Sequence, residues 1–155
     1  MTTPSTDMPA LPPASARAEL GIIREWAAHI TVPVFLVDPE GTLLFYNEPA
    51  EPLLGRRYDD AGQIRASQLA GIFTTTTLEG DPIPSDELPL SIALSARRPA
   101  HGLVRIVALD QEPRLLEVTA FPLLRRDGAF LGAVALFWAR GARDGVDGVP
   151  AAAAL

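Results

Sequence analysis

Two short apolar segments joined by a tight turn constrain the fold more than any other feature of the sequence. Residues 34–37 and 42–46 are rich in valine, leucine and aromatic residues, which favours extended strands. The connection at residues 38–41 reads Asp-Pro-Glu-Gly. Proline presets φ at the second position of such a turn, and glycine ends the turn without strain. The segment therefore predicts a β-hairpin.

Helical signals follow the hairpin. Asn47 is a suitable N-cap for a short helix that ends at Gly55, because its side-chain oxygen can accept from first-turn N–H groups. Further along, Ser85 is expected to cap a predicted helix over residues 86–96, with acidic residues at its start and Arg97 after its end. This charge order suits the helix dipole.

Three longer apolar segments complete the pattern, at residues 102–109, 114–124 and 130–139. Polar turns separate them, so they are typical of consecutive antiparallel strands. Two strands, several short helices and three more strands predict an α+β domain with a five-stranded antiparallel sheet and helices on one side.

The N-terminal segment predicts an amphipathic helix over residues 15–30, capped by Ser15. Leu20, Ile23, Ala27 and Ile30 recur at helical spacing. Such a helix either packs on its own domain or pairs with a second subunit, and its stripe alone does not separate the two. The flanking residues 1–14 and 141–155 lack periodic apolar patterns and predict disorder.

Both faces of the predicted sheet are apolar. In residues 130–139, for example, Val134 and Leu136 alternate with Ala135 and Phe137. An antiparallel sheet with one solvated face would alternate apolar and polar residues more cleanly. The second face is therefore expected to be covered by the N-terminal helix, by a partner subunit, or by both.

Charge and composition exclude several classes of function. The chain carries a net charge of −6, and its 13 basic residues, all arginine, form no basic stripe, which argues against nucleic acid and anionic membranes as partners. No segment predicts a membrane span or a secretory signal, so we expect a cytoplasmic protein. The absence of cysteine removes disulfides and thiol chemistry.

No residue pattern predicts catalysis or a metal site. His29 and His101 stand alone, without the spacing of metal ligands or of a catalytic pair, and no serine lies in a nucleophile elbow. Arg105 interrupts an apolar strand, and we expect it to form a cross-strand ion pair with Glu117 rather than to anchor a ligand carboxylate. We expect a protein that is not an enzyme.

Three motifs, in order, resemble a PAS domain over residues 31–140. They are VDPEGTLLFYNEPAEPLLG at residues 37–55, LEGDPIPSDELPLSIAL at residues 78–94 and RLLEVTAFPLLRRDGAFLGAVAL at residues 114–136. The resemblance implies strand order 2-1-5-4-3 and helices over one sheet face. It also implies a ligand pocket between that face and the middle helices, lined by Phe45, Leu88, Ile92, Ile106, Val118 and Leu136.

Departures from the family narrow the possible cofactors. Light-sensing PAS members attach flavin through a cysteine, which this chain lacks, and heme-binding members often supply a histidine from the helix that corresponds to residues 86–96, which contains none. The ligand that remains is a fatty acid or another small apolar molecule. The residues expected to form a dimer or partner surface are Leu20, Ile23, Trp26, Ile30, Leu44, Tyr46, Phe121 and Phe137.

The resemblance implies a stand-alone sensory or adaptor domain in signal transduction. It would act as a homodimer or through a separate signalling protein, with a small apolar ligand as a possible gate. Two alternatives remain at this point. One is a carrier of a fatty acid or metabolite, and the other is a cone-shaped enzyme similar to ketosteroid isomerase, which would need a buried acid–base pair in an apolar cup.

Overall fold

The structure, a computed structural model, describes residues 14–108 and 111–140. In chain order its helices and strands are α1 (Ala14–Ala28), β1 (Val34–Val37), β2 (Leu43–Tyr46), α2 (Glu51–Leu54), α3 (Tyr58–Ala61), α4 (Ala66–Ile72), β3 (Thr74–Thr76), α5 (Pro89–Ala96), β4 (Ala100–Val107), β5 (Pro113–Leu124) and β6 (Phe130–Arg140). The segments predicted to be disordered, 1–14 and 141–155, lie outside the described residues, except for Ala14, which begins α1.

The six strands form one antiparallel sheet in the order β2-β1-β6-β5-β4-β3. The α+β architecture and the order of the five predicted strands are confirmed, but the strand count was wrong. The sixth strand, β3, pairs Thr74–Thr76 with the end of β4 at one edge of the sheet. Its residues are β-branched and suit a strand, yet they do not alternate between apolar and polar side chains in the way that would predict one.

The helix before β4 begins later than the sequence pattern suggests. Residues Ser85–Glu87 form a 3₁₀ turn, and α5 begins only at Pro89, with Leu88 as an extended N-cap residue. The prediction that Ser85 caps this helix was therefore wrong. A residue before proline is pushed out of the helical region, whereas proline itself fits the first helical position, so Pro89 sets the boundary.

Apolar side chains pack on both faces of the sheet. We call the face under α2–α5 the inner face and the face under α1 the outer face. The inner cluster includes Phe35, Tyr46, Leu54, Val118 and Phe137. The outer cluster includes Val34, Leu36, Phe45 and Val134, together with Leu20, Ile23 and Ala27 of α1. The two clusters explain why the side chains on both faces of the strands are apolar.

Helix α1 packs against its own domain at both ends. Near its C-terminal end, the Arg24 guanidinium carbon lies 5.0 Å from the ring centroids of both Phe45 and Tyr58. Near its start, Arg125 Nη1 donates to Ser15 Oγ at 3.0 Å, and Arg125 Nε lies 3.3 Å from a carboxylate oxygen of Glu19. Within the described residues, no helix is long and apolar enough to cross a membrane.

Strands β1 and β6 approach each other very closely at Gly132. Its φ of 126° lies in a region that side-chain-bearing residues rarely adopt. A Cβ atom at this position would overlap the carbonyl oxygen of Val37. Glycine is therefore required both by backbone conformation and by space.

Candidate functional site

A cavity of about 580 Å³ lies between the inner face of the sheet and the helices α4 and α5. This volume is within the usual range for small-molecule sites. Most of the lining is apolar, and the polar lining residues are Glu40, Thr75, Ser85, Ser91 and Ser95. The apolar side chains that line it are Phe35, Pro39, Leu53, Ala66, Leu69, Ala70, Phe73, Leu88, Pro89, Leu90, Leu94, Val104, Ile106, Val118 and Phe137.

Three aromatic rings form one part of the cavity wall: one on β1, one on β6 and one at the residue between α4 and β3. The Phe35 ring lies edge-on to Phe137, with centroids 4.7 Å apart, and stacks near Phe73 at 6.4 Å. Val118 is directly opposite Phe137 in the β5–β6 ladder, so both side chains point to the same face. The sheet thus supplies a rigid apolar floor, and the helices supply the roof.

Three of the six residues predicted for the pocket line this cavity: Leu88, Ile106 and Val118. Ile92 is half-buried on α5 but is not among the lining residues. Phe45 and Leu136 belong to the outer cluster, so the prediction that they face the pocket was wrong.

A β-bulge explains the error at Phe45. In the β1–β2 ladder Leu36 is opposite Phe45, but the next residue, Val37, is opposite Leu43. Leu44 is therefore an extra residue on β2, and it shifts the alternation by one position. As a result Leu43 stays on the inner face, Phe45 joins the outer cluster, and Tyr46 returns to the inner face.

The strand register explains the error at Leu136. The sequence correctly shows that Leu136 and Phe137 point to opposite faces of β6, but both are large and apolar. Because Phe137, and not Leu136, is opposite Val118, Phe137 enters the cavity wall. A shift of one residue exchanges the two faces of a strand, and here the apolar pattern does not reveal which face is buried under the helices.

The residues predicted for a dimer or partner surface divide into three groups. Tyr46 and Phe137 lie in the inner cluster, so their assignment to the outer surface was wrong. The residues that pack in the outer cluster within this chain are Leu20, Ile23, Ile30, Leu44 and Phe121. Trp26 is exposed, with 49% of its surface accessible. Ile22, one turn earlier on the same side of α1, is 70% exposed.

Asn47 joins the end of α1 to the start of the sheet. Its Oδ1 accepts from the backbone N–H of Val34 at 2.9 Å, and its Nδ2 donates to the carbonyl oxygens of Ala27, Ile30 and Val32 at 3.1, 3.3 and 2.8 Å. The residue is 1% exposed and makes no side-chain cap bond to the 3₁₀ turn that follows it. The predicted capping role was therefore wrong.

Tyr46 is the buried titratable side chain beside this junction. Its hydroxyl donates to the carbonyl oxygen of Arg56 at 3.0 Å. Burial raises the pKa of Tyr46 above its usual value of 10.0, Glu51 raises it further, and Arg56 offsets part of the increase. The hydroxyl therefore stays protonated at neutral pH and remains a donor.

The predicted Arg105–Glu117 ion pair was also wrong. Arg105 is opposite Leu115, and Glu117 is opposite Leu103. The Glu117 carboxylate instead accepts from Arg140 Nη2 at 2.8 Å and lies 3.1 Å from His101 Nε2. These side chains lie at the surface of the outer face and do not line the cavity.

Comparisons with known proteins show the fold. No protein-family model and no curated protein matches the chain. It superposes on a Rhodobacter sphaeroides LOV protein with a TM-score of 0.61 and 19% identity, covering 81% of this chain and 69% of that chain. For the PAS domain of Bordetella pertussis BvgS the TM-score is 0.57, with 14% identity and coverage of 83% and 90%. For the PAS domain of Vibrio parahaemolyticus nitrogen regulation protein NR(II) the values are 0.55, 16%, 77% and 98%. The chain therefore has a PAS-like fold.

Some side chains that hold flavin or heme in proteins are missing from the sequence or from the described cavity lining. A flavin–thiol adduct needs a cysteine, and the sequence has none. Among the described residues that line the cavity, none is an arginine that could bind a cofactor phosphate, and none is a histidine that could ligate heme iron. The lining instead suits a small and mainly apolar molecule.

Proposed function

We propose that this protein is a sensory domain that binds a small apolar molecule in the cavity and signals through a change in association. The observation that carries the proposal is the cavity itself, about 580 Å³ lined by apolar side chains of the sheet, α4 and α5. This volume and the apolar lining are usual for small-molecule sites, which supports a ligand as the occupant.

A continuous set of contacts supports a route from the cavity to the N-terminal helix. Leu53 of α2 lines the cavity. The 3₁₀ turn that leads into α2 directly follows Asn47, whose side chain binds the carbonyl oxygens of Ala27 and Val32. A ligand that displaces α2 would therefore act on the hydrogen bonds that hold the end of α1. We propose α1 as the output element of the domain.

Exposed apolar residues on α1 support association as the output. Ala18, Ile22 and Trp26 recur every fourth residue and are all exposed. This stripe lies on the side of α1 opposite the residues that pack in the outer cluster. A symmetric helix pair would bury the same stripe on both copies, so we propose a homodimer, with a separate signalling protein as the other partner to test.

Native mass spectrometry of the purified full chain tests the ligand. We expect an adduct of a small apolar molecule, or displacement of a neutral fluorescent dye by added apolar molecules. Val118→Phe should weaken binding, because the larger side chain takes up part of the space above the cavity floor. Leu123→Phe, on the same strand but in the outer cluster, should bind normally. A chain that binds neither adducts nor dye would contradict the proposal.

The two alternative functions meet different tests. A carrier would bind the same ligand without any change in association. An enzyme of the ketosteroid isomerase kind needs a buried carboxylate in the cup, whereas the buried polar side chain in the described part of the chain is that of Asn47. That the protein is not an enzyme stays a prediction.

A further inference from the structure

The cavity has an acidic rim. Glu40 is the charged side chain among the described residues that line it, and the other polar lining residues are serines and a threonine. Glu40 is solvent-exposed, and a glutamate side chain contributes a negative charge at neutral pH. A ligand in the cavity therefore meets one negative charge at the rim.

The backbone holds Glu40 in place. Asp38 Oδ1 accepts from the N–H groups of Glu40 at 3.0 Å and of Thr42 at 2.9 Å, which fixes the turn between β1 and β2. At the next residue, a Cβ on Gly41 would lie 3.2 Å from Cβ of Ala66 and 3.7 Å from Cδ1 of Leu94. The turn therefore touches both α4 and α5, and Glu40 lies where these three elements meet.

Hydroxyl oxygens add acceptors near the same helix. Ser91 and Ser95 are one turn apart on α5, and both line the cavity. Ser95 Oγ donates its proton to the carbonyl oxygen of Ser91 at 2.9 Å, so the lone pairs of this hydroxyl remain as acceptors. The Glu40 carboxylate only accepts hydrogen bonds, whereas the serine and threonine hydroxyls of the lining can both donate and accept.

None of the described residues that line the cavity is basic. Arg65 precedes α4 and Arg97 follows α5, but neither is among the residues that line the cavity. The Arg97 guanidinium carbon lies 4.6 Å from the ring centroid of Phe130. A ligand carboxylate or phosphate would therefore meet a like charge at the rim, with no basic side chain among the described lining residues to pair with.

We propose that the ligand is an apolar molecule whose polar group is a protonated amine placed at Glu40. An ammonium group has three donors and no acceptor, so it can donate to the Glu40 carboxylate and to hydroxyl oxygens of the lining. The inference rests on the proposed function, since it specifies the molecule that the cavity binds. The proposed amine differs from the fatty acid that the sequence suggested. An ionised fatty acid would carry the same sign of charge as Glu40.

Decylamine, decanol and decanoate test the inference, since they share one apolar chain and differ in head-group charge. Their dissociation constants are measured below their micelle concentrations at pH 7, by displacement of a neutral dye from the full-length protein. We expect decylamine to bind about fivefold more tightly than decanol, from one partly solvated ion pair, and decanoate to bind most weakly. Glu40→Gln should remove the preference for the amine. Glu79→Gln, which removes the same charge from an exposed residue outside the cavity lining, should leave the order unchanged.

The outcomes separate this inference from the proposed function. Decanol binding as tightly as decylamine, or decanoate binding as tightly as either, overturns the amine and leaves the apolar cavity site standing. An amine preference that survives Glu40→Gln also overturns the inference. If none of the three molecules displaces the dye, and the dye itself does not bind, the proposed function fails first and the inference fails with it.

Discussion

Among single residues, Asn47 has the clearest structural role. An asparagine after a strand and before a helical turn fits a helix cap, and the sequence alone favours that role. The fold uses its amide differently, because the end of α1 and the chain that follows it bring three carbonyl oxygens within reach. These groups are far from Asn47 in sequence, so no local pattern could predict the contact.

Replacing Asn47 by alanine should reduce the free energy of unfolding by about 3 kcal/mol, because buried backbone groups lose their hydrogen-bond partners. Urea unfolding of the two proteins measures the difference. Gln68→Ala is a suitable control, since the Gln68 side chain bonds to the backbone of Arg65 at the surface. The control should change stability by less than about 0.5 kcal/mol. A loss of similar size in both variants would contradict the role of Asn47.

Single residues also show how far the site could be predicted. Val118 and Ile106 were assigned correctly to the inner face, because β4 and β5 keep their alternation through the cavity wall. Phe45 and Leu136 were assigned to the wrong face. The bulge at Leu44 is a feature of the pairing between two strands, and the register of β6 depends on its partner strands. Both are long-range properties that one strand's pattern does not contain.

At the scale of elements, the sequence predicted those structures that depend on interactions between neighbouring residues. The β1–β2 hairpin follows from its Asp-Pro-Glu-Gly turn, and Asp38 does bind the N–H groups of that turn. The strand β3 was missed because it exists through pairing with β4 at the sheet edge. The same contrast holds for α5, whose start depends on the single residue Pro89.

Helix α1 has two apolar sides with different roles. Leu20 and Ile23 pack in the outer cluster of the same chain, whereas Ile22 and Trp26 are exposed. The sequence left open whether this helix packs on its own domain or on a partner. In the structure one side of the helix packs within the chain, and the other side remains available.

Replacing Trp26 by serine should weaken self-association about tenfold or more, because the side chain would be buried only in the dimer. Sedimentation velocity across a range of protein concentrations measures the change, and thermal stability at low concentration should hardly move. Ile23→Ser is the matched control on the same helix, and it should lower stability instead, since Ile23 packs in the outer cluster. A wild-type chain that stays monomeric at high concentration would refute the homodimer and favour a separate partner.

At the scale of the whole molecule, the cavity and the exposed side of α1 lie on opposite faces of one sheet. The inner cluster surrounds the cavity, and the outer cluster carries α1. Asn47 and the turn after it connect the two layers around the β1–β2 edge. This arrangement allows a molecule bound on one face to change the surface on the other.

A ligand that fills the cavity should change the dimer dissociation constant by about fivefold or more, which is the lower end of typical coupling between sites. Sedimentation with and without saturating decanol or decylamine measures the coupling. Val118→Phe should associate normally but respond less to either molecule, since its larger side chain takes up part of the binding site. An identical dissociation constant with and without bound ligand would identify a carrier rather than a sensor.

The contact between Gly132 and Val37 also bears on how related chains can be recognised. At 14–19% identity, most positions carry no usable signal of common ancestry. A position that only glycine can occupy is different, because every chain that brings these two strands equally close faces the same exclusion of a Cβ atom. In a saturation-mutagenesis library, we expect position 132 to tolerate fewer other amino acids than any other position of β6. A search for distant homologues gains more from weighting this one glycine than from the many interchangeable leucines and valines around it.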